Sequence, residues 1–209
     1  MDKPFITISI GREFGSGGRI LGQIIAERLG YKFYDNELLT LAAKEIGFSQ
    51  EIFEEKDEQP VSNTFFNNIQ QLLGGGNENY LSDANIFKIQ SDVIKKISQS
   101  CSCVIMGRCS DYVLRDNPYM ISFFFSSNLN DRVKRVCERF AIDDPEKAER
   151  MILIKDKRRS EYYNYFTGKI WGKATSYNVC IDVSLLGSER TADFIIDLLK
   201  AKFGNLIPQ

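Results

Sequence analysis

The 209-residue sequence contains no histidine. The commonest general base and the commonest transition-metal ligand are therefore missing together. A Ser-His-Asp triad, a Cys-His nucleophile pair and a His-bearing zinc site are all excluded, so any chemistry runs on carboxylates, Arg, Lys, Tyr and an ion such as Mg²⁺ brought from outside. Cysteine is sparse: Cys101, Cys103, Cys109, Cys137 and Cys180 are odd in number and lack a paired C-x-x-C spacing. Reduced thiols are expected rather than a disulfide framework, with Cys101 and Cys103 as the edge and core of one strand rather than metal ligands. No charge of either sign dominates, with 27 basic and 28 acidic residues and a net charge of −1. A nucleic-acid partner would favour a basic excess, so none is expected. No stretch approaches the roughly 20 apolar residues of a membrane helix. The opening MDKPFITISIGREFG has only a short apolar run and no A-x-A-like cleavage site. No membrane association and a cytoplasmic location are the resulting expectations. Repeats are absent, and the one biased tract is the glycine run at 74–76.

What is present is the make-up of a globular protein with a core: 43% hydrophobic and 26% charged residues. Residues 5–10, FITISI, read as a strand buried on both faces. The segment from Arg19 carries apolar residues at Ile20, Leu21, Ile24, Ile25 and Leu29, a helical spacing closed by Gly30. YKFYD reads as a short strand ending at Asp35, with a helix through 36–47. A broken helical pattern follows Pro60, and Gly74, Gly75 and Gly76 suggest a hinge. Further on, a helix is expected from Asp83 to Gln99, strands in CSCVIMGR and in 119–127, and basic helices in LNDRVKRVCERF and 145–166. SYNVCIDVS is the last strand and SERTADFIIDLLKAKFG the closing helix. Strands and helices alternating in this way predict an α/β fold, a five-stranded parallel sheet flanked by helices.

Between the first strand and its helix lies GREFGSGGR. A glycine-rich turn there lets backbone N–H groups approach phosphate oxygens while the helix N-terminus adds partial positive charge. Gly15, Gly17 and Gly18 supply the turn, but the pattern G-x-x-x-x-G-K-[ST] is not met. Its lysine position falls on Gly18, with Arg19 and Ile20 after it. A glycine-rich turn that binds nothing is the competing reading.

Three further segments carry a resemblance. GRCSDYVLRDNP, from Gly107, is similar to the GRD segment of bacterial cytidylate kinases. KDKRRSEYYNYFTGKIWG, residues 155–172, resembles the arginine-rich lid of nucleoside monophosphate kinases, and IDVSLLGSE, from Ile181, the last strand and loop before their C-terminal helix. With ISIGREFGSGGRILG and GYKFYDNELL, nearly the whole chain resembles the cytidylate kinase-like family of P-loop proteins.

The resemblance implies a P-loop NTPase fold over 1–209, with an NMP-binding insertion over 47–82 and a lid over 150–175. It implies ATP with Mg²⁺ as phosphoryl donor and a nucleoside monophosphate, CMP or dCMP, as acceptor. Gly15, Ser16, Gly17 and Gly18 would cradle the triphosphate. Arg19 is the nearest cation to replace the lysine, and Ser16 the nearest hydroxyl for Mg²⁺. Asp35 would lie near the acceptor, Arg108 would hold its phosphate with Asp111 beside it, and Arg158 and Arg159 would reach the transferring group from the lid. Lys155, Lys157, Lys169 and Lys173 could add charge from the same side. Phosphoryl transfer asks mainly for positioning and charge stabilisation, and arginine forks suit phosphate.

Plainer roles stand beside these. Arg158 and Arg159 can be a solvated helix face. Asp35 can cap the helix after it. Tyr162, Tyr163, Tyr165, Phe166 and Trp171 can pack rather than stack on a base. A nucleotide-binding protein without turnover, and a kinase of another small metabolite, remain as alternatives. Oligomeric state is open.

Overall fold

The computed structural model describes residues 3–35 and 83–208. The helix expected over 36–47, the insertion over 47–82 and the glycine run at 74–76 lie outside these residues. Five strands are described: β1 (Thr7–Arg12), β2 (Lys32–Tyr34), β3 (Cys103–Met106), β4 (Met120–Ser126) and β5 (Val179–Asp182). They form one wholly parallel sheet in the order β2-β3-β1-β4-β5. The helices among the described residues are α1 (Gly18–Leu29), α2 (Asp83–Ser100), α3 (Ser110–Val113), α4 (Leu129–Phe140), α5 (Pro145–Thr167) and α6 (Gly187–Phe203).

Alternation along the strands sorts residues to the two faces. Ile6, Ile8 and Ile10 share a face with Phe123 and Phe125, and pack on Leu21 and Ile25 of α1 and Ile195 and Leu199 of α6. On the other face Val93, Ile94 and Ile97 of α2 cover Cys103 and Ile105, with Leu114 after α3. Each of these fully buried side chains contributes about 1.5–3 kcal/mol. Coverage of both faces is why the strands read as continuous apolar runs. α1 ends at Gly30, whose left-handed backbone lets its N–H reach the carbonyls of Ala26 and Glu27. α5 begins at Asp144, whose carboxylate accepts from the amides of Glu146 and Lys147, with Pro145 at the first helical position. All five cysteines are free thiols.

One boundary differs from expectation in a way that matters. β1 runs to Arg12 rather than stopping at Ile10, because β4 continues alongside it, pairing Gly11 with Phe124 and Arg12 with Phe125. Arg12 is thus a strand residue at the sheet's carboxyl edge, not part of the loop.

Candidate active site

The glycine-rich loop joins β1 to α1 at that edge, where open parallel sheets bind ligands. Gly15 has φ 79° and Gly17 φ 83°, left-handed values that L-residues rarely adopt. A Cβ at Gly15 would also come within 3.0 Å of the Arg132 carbonyl oxygen. Gly17 is the N-cap of α1, and the first turn of that helix carries no acidic residue, so its positive end is not cancelled locally.

The loop is held from outside by α4 and α5. Arg132 donates from Nε to the Phe14 carbonyl at 2.9 Å, lies 3.2 Å from Glu13 and forms a close ion pair with Asp156. Arg135 donates to the Gly15 carbonyl at 3.1 Å and to Ser127 Oγ at 3.0 Å. Asp156 accepts from the Phe14 amide at 2.7 Å, and Glu13 accepts from the Ser127 amide at 3.1 Å. The Phe14 amide and the carbonyls of Phe14 and Gly15 are therefore fixed by side chains more than a hundred residues distant in sequence. Fixed dipoles need no reorganisation when charge arrives.

Above the loop, arginines from four elements converge. Arg12 comes from the end of β1. Arg19, in the first turn of α1, donates from Nε at 3.1 Å and Nη2 at 2.6 Å to one oxygen of Asp35, after β2. Arg159 of α5 donates to the Arg12 carbonyl at 3.0 Å and sits 5.3 Å over the Phe14 ring. Arg108, just beyond β3, faces the Tyr162 ring at 5.7 Å. The Arg12 guanidinium is pushed down to about 9, chiefly by burial, then by Arg159, with Asp35 opposing and Arg19 and Arg108 adding to the shift. Burial likewise lowers Arg159, against the pull of Asp156. Concentrated, partly desolvated cations of this kind favour an anion.

The turn after β3 is strained. Gly107, Arg108 and Cys109 are left-handed in succession, with φ 74°, 57° and 55°, at roughly 1–2 kcal/mol for each of the two L-residues. The turn delivers Arg108 to the edge and starts α3, which Ser110 ties to Ser9 of β1 through a buried hydroxyl pair at 2.7 Å. Asp111 follows, 5% exposed. Burial raises its carboxyl pKa, while the Tyr163 hydroxyl, donating at 2.8 Å, and Lys169, 3.9 Å away, work against that rise. Tyr163 stacks on Tyr177 at 5.5 Å, and Phe124 meets Trp171 edge-on at 5.0 Å.

Of the residues singled out in the sequence, Gly15, Ser16, Gly17, Gly18, Arg19, Asp35, Arg108, Asp111 and Arg159 lie on the elements that meet at this edge. Arg158 does not point the same way: it is exposed on α5, a helical step of about 100° from Arg159. Tyr162, Tyr163, Phe166 and Trp171 pack with one another or with Phe87, Phe124 and Tyr177, while Tyr165 is 80% exposed. Lys169 approaches Asp111, whereas Lys157 pairs with Glu161 on the helix surface. Ser16 is 1% exposed, and its hydroxyl is engaged within the loop. It donates to the Glu13 carbonyl at 2.9 Å and accepts from the Gly18 amide at 3.3 Å. A buried hydroxyl engaged in the loop does not fit a Mg²⁺ ligand in this arrangement, and the described residues contain no cluster of three or more acidic, His or Cys groups suited to a metal. Sequence reasoning missed Arg12, Arg132, Arg135, Glu13 and Asp156. The only available signal was the spacing of Arg132 and Arg135, three apart on one face of a basic helix.

The parallel order with a glycine loop after its central strand defines a P-loop α/β fold. Solved structures share it. An uncharacterized protein from Eubacterium ventriosum is 30% identical, with a TM-score of 0.72, covering 94% of this chain and 99% of that one. A shikimate kinase from Bacteroides thetaiotaomicron is 12% identical, with a TM-score of 0.55, covering 93% and 98%. A shikimate kinase from Acinetobacter baumannii, solved with shikimate, is 14% identical, with a TM-score of 0.50, covering 96% of each chain. A search of curated proteins finds no significant sequence match. The profile of the cytidylate kinase-like family matches residues 7–185, and the chain belongs to that family. It is a P-loop kinase by class. No helix among the described residues is long and apolar enough to cross a membrane.

Proposed function

We propose that the chain transfers the terminal phosphoryl group of ATP to the phosphate of a nucleoside monophosphate, CMP or dCMP. One observation carries this reading: arginines from β1, α1, the β3 edge and α5 converge over a loop whose backbone is already fixed. The loop would receive the triphosphate and Arg159 the transferring group. Arg108 would take the acceptor's phosphate, with Arg19, Asp35 and Asp111 bounding the acceptor side. Mg²⁺ would come bound to the nucleotide, adding charge on its oxygens. An acceptor phosphate oxygen attacks the γ-phosphorus as the bond to the bridging oxygen breaks, and ADP leaves with that oxygen. Because the acceptor oxygen is already deprotonated near neutrality, no general base is required. The lack of histidine is consistent with that step.

A coupled ADP-release assay with Mg·ATP against a panel of nucleoside monophosphates tests the proposal. Turnover confined to CMP and dCMP supports it. ATP binding by calorimetry with no turnover on any monophosphate would redirect the acceptor to another small metabolite or the protein to nucleotide sensing.

A further inference from the structure

The loop lacks the lysine that its class of turn carries, and Arg19, the nearest cation in sequence, is drawn onto Asp35. Arg135 Nη1 is engaged by the Gly15 carbonyl and Ser127 Oγ, with its guanidinium 3.9 Å from where a Cβ would stand on Gly17. Lys169 stands by Asp111. We propose that Arg12, reaching from the last residue of β1, replaces that lysine and binds the β- and γ-phosphates of the nucleoside triphosphate. The inference rests on the kinase reading above and names the group that completes its donor site.

Geometry carries it. Arg12 continues the row of Ile8 and Ile10, the row that faces α1, so its stem rises beside the N-terminus of that helix. A Cβ at Gly18 would lie 3.2 Å from Arg12 Cβ, and equally close to the Phe125 ring and Ser16 Oγ. The space that a side chain at 18 would need is thus shared with the Arg12 stem. The bare backbone of Gly18 and the arginine at 12 are two halves of one arrangement. At its far end, Arg12 Nη1 is 3.8 Å from where a Cβ would stand on Gly107. The side chain therefore spans from the loop to the β3 edge, between donor and acceptor sides. Arg159 donates to the Arg12 carbonyl, which fixes the strand end and brings the α5 cation to the same place.

Electrostatics agrees. Arg12 is surrounded by Arg159, Arg19 and Arg108, with Asp35 as the opposing charge. Its lowered pKa remains above neutrality, so the guanidinium stays charged and its repulsion is a penalty on the unliganded fold. An arriving polyphosphate relieves that penalty. A planar fork can grip two phosphate oxygens at once, whereas an ammonium acts as a point charge.

The test reads binding and stability separately, in Arg12→Met, Arg12→Lys and the double variant Arg12→Gly with Gly18→Lys. Calorimetry with ATP and thermal melting with and without inorganic tripolyphosphate are the readouts. Arg12→Met is expected to weaken ATP binding about 30-fold or more, as loss of charge-assisted bonds does. The same variant should melt at or above the temperature of the unaltered chain without ligand, and lose most of the tripolyphosphate-induced rise. Arg12→Lys should retain affinity within about tenfold. The double variant, which moves the cation into the loop, should recover much of what Met loses. ATP affinity of Arg12→Met within about threefold of the unaltered chain overturns the role of Arg12 and leaves the kinase reading standing. A loss in Arg12→Lys as deep as that of Met, in a variant that melts normally, also overturns it, because charge would not be what counts. Failure of the unaltered chain itself to bind ATP overturns both.

Discussion

Two arginine groups meet around the same loop, with Asp156 between Arg132 and Arg159, and do different work. In the first, Arg132 is only 8% exposed and meets two carboxylates, Glu13 and Asp156, and a carbonyl. Its charge is answered within the protein. The second group, Arg12, Arg19, Arg108 and Arg159, crowds around Arg12, with Asp35 beside Arg12 and Arg19 and Asp156 beside Arg159. The first group is a structural brace and the second a concentration of like charge around Arg12. Composition treats these residues alike, and only the distribution of carboxylates around them separates the roles.

The sharpest way to break the comparison is to remove the brace. Arg132→Ala leaves Glu13 and Asp156 partly buried without their partner, and is expected to cost about 3–5 kcal/mol of stability. Urea denaturation reads it, and a loss below about 1 kcal/mol would show that the loop does not depend on that network. A second contrast divides α5. Arg159→Ala should lower kcat about 10²-fold, the scale of losing one preorganised donor to developing charge, while exposed Arg158→Ala changes it less than about threefold. Equal losses in single-turnover assays would mean that both side chains reach the reacting group.

Tyr163→Phe probes the buried carboxyl. Burial holds the pKa of Asp111 above its ordinary value and the Tyr163 hydroxyl pulls it down. Between the ordinary value and the raised one, the unfolded chain gives up the proton first, so stability from this group falls as pH rises. Without the hydroxyl the pKa climbs further. The stability gap between variant and unaltered chain should therefore widen only as pH rises past the already raised pKa of Asp111 in the unaltered chain, reaching about 1–3 kcal/mol. A pH-independent gap in urea midpoints would sink the idea. The smallest effect is expected at Arg108→Gly, which removes left-handed strain and adds unfolded-state freedom. The net gain is about 0.5 kcal/mol, while the KM for the acceptor rises. A loss of stability would place Arg108 with the brace.

Much of the fold could be read from periodicity. The helical spacing of Leu21, Ile25 and Leu29, closed by Gly30, matches α1, and the pattern from 145 to 166 matches α5 nearly end to end. Apolar runs marked β3 and β4 because both sheet faces are covered. The limits came where partners decide. β1 gains Gly11 and Arg12 only through pairing with β4, and no local signal announces that. Arg158 and Arg159 are neighbours in sequence yet diverge on the helix, so the motif alone cannot say which faces the loop. The short helix α3 depends on a left-handed Arg108 and Cys109, a conformation that neither residue's propensity favours. Arg132 read only as part of a basic helix, since its carboxylates lie far away along the chain.

The central position of β1 also orders the protein's assembly in time. Its first residues pair with Cys103 on one side and Met120 on the other, contacts 96 residues apart in the case of Thr7 and Cys103. During synthesis the strand that carries the loop must wait, unpaired, until more than half of the chain has been made. Non-local pairing of this kind is slow and leaves apolar strands open to wrong partners. The nascent FITISI segment is therefore where a holding chaperone would be needed most.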